Sequence, residues 1–249
     1  LIFVLLNNFL FAKCISLLTN SKFEILNSLV IFNALFIIAQ DQWLFVWDFI
    51  DVTFFILYGL IIMETHYIKY LFVINFFHIF NRETALIMAI FFIYVIFKKK
   101  NGNINNLLRD KLFYGLVFNL FFGTVYTYFS RKLLFIRQSD LTGGGQDLNN
   151  NFLGGNWVTP MLNYGTLFNG ETVSNTLILI SVFLVFYFLF RNYKQFSSKE
   201  KLLSIATIIN IFPVFIFGIF IETRQFFPSI VMLAYLIFSN SIKKIEISS

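Results

Sequence analysis

Two short polar words hold the residues of this sequence best suited to chemistry. Asn81-Arg82-Glu83-Thr84 lies between the apolar runs 68–80 and 84–97, and Glu222-Thr223-Arg224 lies between the runs 202–221 and 226–241. Charge is expensive near hydrocarbon, so an apolar chain that keeps Arg and Glu there usually has a use for them. A guanidinium offers a planar fork of donors that grips a phosphate through two parallel hydrogen bonds. Asn81, Arg82 and Glu83 stand at a helix start, where free N–H groups favour an anion, and Thr84 can help to cap it. The same residues admit a plainer reading, a neutral Arg82–Glu83 or Arg82–Glu222 pair that pins two hairpins together. Glu222 and Arg224 are two apart and point to different sides of a helix. From a turn both can face a cavity as a sugar or phosphate site, or they can form a structural ion pair.

Asp48 and Asp51 are three apart, which puts them on one helix face. They follow Trp43 and Trp47, whose rings suit a membrane interface. Two such carboxylates can assist catalysis, bind a divalent metal ion as cofactor, or repel one another. A solvated helix start is the simpler alternative. His78 sits in an apolar run one turn before Arg82, and a lone His there is more often packed or hydrogen-bonded than a ligand. No spacing in the chain marks a metal site. Cys14 is alone, which excludes an internal disulfide and argues against a metal cluster.

The elements that must position these residues are apolar helices. The chain is 58% hydrophobic and 13% charged, with 37 Phe in 249 residues, and its mean hydropathy is +0.75. No soluble domain has enough interior to hide that surface. The runs are continuous rather than alternating, which excludes a transmembrane barrel. They fall at 1–11, 25–40, 44–63, 68–80, 84–97, 112–130, 176–190, 202–221 and 226–241. The expected fold is all-α, a polytopic transmembrane bundle of about nine spans forming a single domain over 1–249. The 68–80 and 84–97 runs, at about 20 Å each, make either a hairpin of short spans or a broken helix buried in protein.

Charge sets the expected orientation. Lys98, Lys99, Lys100, Arg109 and Lys111 fall in one loop, Arg191, Lys194, Lys199 and Lys201 in another, Lys243 and Lys244 in the tail, and Lys13 and Lys22 in the first loop. Alternation of nine spans puts all four on one face, which the positive-inside rule makes cytoplasmic. The net charge of +6 therefore points to a lipid bilayer as partner, not to nucleic acid. The opposite, periplasmic face receives Asp41, Asp48, Asp51, both polar words and the loop 131–175, with Arg131, Lys132 and Arg137 against the trend. That loop, rich in Gly and Asn, is either a flexible connection or a flap over a substrate, with Trp157 and Tyr164 as stacking surfaces. It has no phosphate-loop pattern. His66 falls in a cytoplasmic turn. The chain begins inside an apolar run without Met, and we expect a fragment lacking at least one earlier span and its outer loop.

Three stretches carry a resemblance: Trp47-Asp48-Phe49-Ile50-Asp51, His78-Ile79-Phe80-Asn81-Arg82-Glu83-Thr84-Ala85-Leu86, and Ile221-Glu222-Thr223-Arg224-Gln225-Phe226-Phe227-Pro228. Over about residues 25–240 they resemble a group of bacterial multi-span membrane proteins, which in turn is similar to the GT-C glycosyltransferases. The resemblance implies an inner-membrane enzyme that takes a sugar from a polyprenyl-phosphate carrier on the outer face. Arg82 and Arg224 would hold the phosphate, with Asn81, Glu83, Glu222 and His78 in support. The catalytic Asp of that superfamily follows its first span and would lie upstream of residue 1. Two other functions compete. A transporter or flippase would show an inverted repeat, and none is legible. A structural subunit of a membrane complex would pair its polar groups across helices.

Overall fold

The computed structural model describes residues 2–38, 46–82, 84–134, 172–217 and 226–248. They form an all-α chain, with no strand among the described residues. In order come α1 (Ile2–Ile15), α2 (Lys22–Ile38), α3 (Val46–Met63), a 3₁₀ segment (Thr65–Tyr70), α4 (Leu71–Ile79), α5 (Thr84–Lys99) and the single turn α6 (Ile104–Leu107). Then follow α7 (Lys111–Leu134), α8 (Thr172–Asn192), α9 (Ser198–Phe217) and α10 (Phe227–Ser248).

Among the described residues two helical segments, Val46–Met63 and Lys111–Ser130, are long and apolar enough to cross a membrane, where the sequence suggested about nine. Shorter apolar helices lie at Ile2–Ile15, Ile180–Asn192 and Phe227–Ser239. The difference arises where polar residues cut the runs. The 68–80 run is divided between the 3₁₀ segment and the nine-residue α4. α5 has 16 residues, and α9 begins on the charged turn Ser198-Lys199-Glu200-Lys201. The hairpin expected at 68–97 is present: α4 and α5 pack together across a turn at Phe80–Arg82. The helices flanking the long loop reach further than expected, with 131–134 in α7 and 172–175 in α8.

α3 lies at the centre, packed against α1, α4, α9 and α10, while α7 covers α4 and α5. Two glycines permit the closest approaches. A Cβ on Gly59 of α3 would run into the Tyr235 ring of α10, and one on Gly123 of α7 would meet Leu86 Cδ2 at 2.6 Å. Tyr235 is fully buried and donates from Oη to the Ile56 carbonyl at 3.2 Å. Phe11 packs on Phe32 and Tyr235, tying α1 and α2 to α10.

Amides stitch the apolar helices together. Asn8 and Asn33 exchange hydrogen bonds between α1 and α2, at 3.2 and 2.6 Å. Asn7 donates to the Phe49 carbonyl at 2.9 Å and accepts from Thr53 Oγ1 at 2.6 Å. Such bonds locate helices that share apolar surfaces and have little else to fix their register.

Candidate functional site

The site grows from about the first three and a half turns of α3 and from the α4–α5 corner. Asp48, Asp51, Phe55 and Tyr58 recur at i, i+3, i+7 and i+10, which places them on one stripe of α3. Asn75 and His78 repeat the spacing on α4, and Arg82 follows in the turn. All of these except Arg82 are buried, so polar atoms on the stripe must find partners inside the protein.

They do so in one continuous network. Arg82 Nη2 donates to Asp48 Oδ1, and Arg82 Nη1 lies 3.7 Å from Asp51 Oδ2. Asp51 Oδ1 receives His78 Nε2 at 2.5 Å and the Thr84 hydroxyl at 3.0 Å. His78 Nδ1 lies 3.0 Å from Tyr58 Oη. Asn75 Nδ2 donates to Tyr58 Oη at 3.0 Å and to the Ala85 carbonyl at 2.8 Å. Asn119 of α7 donates to Asn75 Oδ1 at 3.0 Å and to the Phe72 carbonyl at 3.0 Å. One tautomer assignment satisfies the chain: Nε2–H donates to Asp51, and the Tyr58 hydroxyl donates to Nδ1 while accepting from Asn75. Phe54 stacks on the His78 ring at 4.7 Å and Phe55 meets it edge-on, which fixes the ring plane.

The two carboxylates are therefore neither a solvated helix start nor a bare repelling pair. Both lie at the inner side of one guanidinium. Among the described residues no group of three His, Cys, Asp or Glu is arranged to hold a metal ion, and Arg82 supplies the cation beside the two aspartates. Asp51 Oδ2 is buried with no hydrogen-bond partner, so its stabilisation comes from Arg82 at longer range.

Arg82 is the outermost member, with 17% of its side chain exposed. Asn81 beside it donates to the Trp47 carbonyl at 3.0 Å, closing the corner onto the start of α3. Thr84, expected to cap its own helix, instead turns its hydroxyl to Asp51. His78 is hydrogen-bonded, as a lone His in an apolar run usually is. His66, in the 3₁₀ segment, lies 3.6 Å from Glu64. Glu83, Glu222 and Arg224 lie outside the described residues, as do Asp41, Trp43, Trp157 and Tyr164. The proposed Arg82–Glu83 and Arg82–Glu222 pairs rest on them.

Sequence reasoning overlooked Tyr58, Asn75 and Asn119. The i, i+3, i+7, i+10 stripe of α3 pointed to Tyr58, and Asn75 stands one turn before His78. For Asn119 the only signal was an amide in the middle of an apolar run.

The arrangement can hold a guanidinium rigidly at the rim of the bundle and can orient a buried imidazole between a carboxylate and a phenol. Comparison with protein-family models, with curated proteins and with solved structures finds no match to this chain.

Proposed function

We propose that the chain is an integral membrane protein that acts as a glycosyltransferase-like enzyme on a lipid-linked sugar at the outer face, with Arg82 as part of the carrier-phosphate site. The membrane placement is supported by apolar side chains that the protein leaves uncovered. Phe118, Phe121 and Phe129 of α7 and Phe183, Leu184 and Phe190 of α8 are exposed, a lipid-facing pattern that water would penalise. On this reading several shorter apolar helices also lie within the bilayer, approaching the nine expected spans.

The observation that carries the site is the position of Arg82: held from beneath by the fully buried Asp48 and Asp51, its half-buried guanidinium lies at the rim of the cluster. Its remaining N–H donors are pre-oriented, which lowers the cost of gripping an anion. Two carboxylates already offset its charge, so a phosphate needs a second cation. We assign that role to Arg224. Asp48 and Asp51 then position Arg82 rather than hold a metal.

The test is binding of undecaprenyl phosphate to the purified protein in detergent, followed by native mass spectrometry. Arg82→Lys and Arg224→Ala are each expected to weaken binding about ten-fold or more, about 1.4 kcal/mol, with the unfolding temperature of Arg224→Ala unchanged. Equal affinity in both variants overturns the reading. The complete burial of Asp48, Asp51 and His78 favours a second reading, a structural subunit whose cluster only clamps helices. It predicts loss of stability in cluster variants and no binding of the carrier phosphate.

A further inference from the structure

A second polar site lies at the other end of α5. The α5 helix carries the chain about 24 Å from Thr84 to Lys99 at 1.5 Å per residue, and beyond it the backbone turns back through Asn101 and Gly102, with φ of 57° and 70°. The Gly102 amide closes onto the Phe97 carbonyl at 3.0 Å. This turn brings the end of α5 against the start of α7 and the 3₁₀ segment. Between them is a cavity of about 610 Å³.

Its lining has two halves. Ile68, Phe72, Ile96 and Leu112 form an apolar wall, and Lys69, Lys99, Lys100 and Lys111 stand around it with Asp110 as the one acidic residue. Asp110 is already committed: it accepts from the Leu112 amide at 2.9 Å, capping α7, and pairs with Lys100 at 3.2 Å. Among the described residues Lys69, Lys99 and Lys111 make no ion pair. Lys69 rests over the Tyr70 ring at 5.0 Å. Lys111 stands in the first turn of α7, where the helix dipole disfavours a cation. Three ammonium groups around one apolar cavity repel one another unless an anion joins them.

We propose that this cavity binds an anionic phospholipid, its phosphate among Lys69, Lys99 and Lys111 and the upper part of an acyl chain against Phe72, Ile96 and Leu112. A free phosphate would satisfy the lysines and leave the apolar wall unused, so the two-sided lining selects an amphiphile. Basic cavities between helices on the lysine-rich side of a membrane protein suit such headgroups. The site is at the opposite end of the helices from Arg82 and does not depend on what Arg82 does.

The test uses the whole protein in a neutral detergent and compares thermal stabilisation by phosphatidylglycerol, by phosphatidylcholine and by inorganic phosphate. Native mass spectrometry counts the lipids retained. Phosphatidylglycerol is expected to stabilise and to be retained about ten-fold more tightly than phosphatidylcholine, with inorganic phosphate inactive at equal concentration. A Lys69→Gln/Lys99→Gln/Lys111→Gln variant should lose that preference, whereas Lys13→Gln/Lys22→Gln, distant in sequence, should keep it. Equal retention of the two lipids, full competition by inorganic phosphate, or an unchanged preference in the triple variant each overturns the proposal. The comparison of lipids on the unaltered protein decides the matter even if the triple variant does not fold.

Discussion

His78 Nε2 lies 2.5 Å from Asp51 Oδ1, with both side chains buried. The bond joins α3 to α4 at a depth where water does not reach, and it is one link of a chain that runs from Arg82 at the rim to Asn119 on α7. Each member partners at least one polar atom of the next, while Asp51 Oδ2 and Asn119 Oδ1 stay without a hydrogen bond. The consequence is that no member can be removed without exposing another.

Replacing His78 with Ala is the direct check. It strips Asp51 of its shortest partner and leaves Tyr58 Oη without an acceptor. A buried acceptor that loses a hydrogen-bond partner costs about 1–3 kcal/mol, more when it is charged, and the lost ring adds a cavity. His78→Ala should lower the unfolding temperature in detergent well below that of Tyr58→Phe. The phenylalanine variant leaves only His78 Nδ1 and one Asn75 proton unmet, at about 1–3 kcal/mol. Equal losses from the two changes would mean that the His78–Asp51 bond carries no special weight.

The Arg82–Asp48 pair should show coupling. Arg82→Ala leaves two buried carboxylates facing each other, whereas Arg82→Ala combined with Asp48→Asn removes one of them. The double variant is expected to be more stable than Arg82→Ala alone, by about 1–3 kcal/mol. Simple addition of the two single effects in a double-mutant cycle would show that the pair is not coupled.

How much of this was legible in the sequence depends on the kind of signal. Helical class followed from continuous apolar runs, because nothing else can bury them. The polar word at 81–84 marked Arg82, and the three-residue spacing marked Asp48 and Asp51, because charge among Phe and Ile is costly wherever it sits; His78 read as a packed or hydrogen-bonded residue. What their spacing did not reveal was the pairing. Asp51 meets His78 across 27 positions and Asn75 meets Asn119 across 44, and a long-range hydrogen bond leaves no periodic trace. Span lengths were misread for a related reason. The 68–80 run is interrupted only by Lys69, Asn75 and His78, yet the backbone changes from 3₁₀ to α at Leu71, a change that hydropathy does not record.

Gly59 tests the central packing. A methyl group there points into the Tyr235 ring, and both residues lie in the core. Gly59→Ala is expected to destabilise by about 1–3 kcal/mol through overpacking, outweighing the gain in helix propensity of about 1 kcal/mol. Shrinking the neighbour should relieve the clash, so Gly59→Ala with Tyr235→Leu should cost less than the sum of its parts. Thermal unfolding of the four proteins decides it, and a stabilising Gly59→Ala would refute the close contact.

At the start of α9, Ser197 and Glu200 form a reciprocal cap. The Ser197 amide donates to Glu200 Oε2 at 2.6 Å, and the Glu200 amide reaches Ser197 Oγ at 3.4 Å. Ser239 of α10 donates to the other carboxylate oxygen at 2.9 Å. One carboxylate thus caps a helix and ties it to its neighbour. Glu200→Ala should cost about 1–2 kcal/mol, and Glu200→Gln, which keeps an acceptor oxygen, should cost less. Matching losses would point to charge rather than acceptor geometry as the source.

The membrane reading is checked most directly through α7. It joins the lysine-rich corner at 98–111 to the segment after Leu134, and its Lys111–Ser130 portion is long and apolar enough to cross. If it does, the two ends face opposite sides of the membrane, with the lysine-rich end in the cytoplasm. The lone cysteine makes the measurement clean: Cys14→Ser gives a thiol-free background. In cells, Ser139→Cys should react with an impermeant maleimide added outside, once the outer barrier is opened. Asn105→Cys should react only after the inner membrane is permeabilised. Labelling of both from the same side would mean that α7 does not cross. The outward placement of Arg82 would then lose its basis, because α4 and α5 pack along α7 and take their orientation from it.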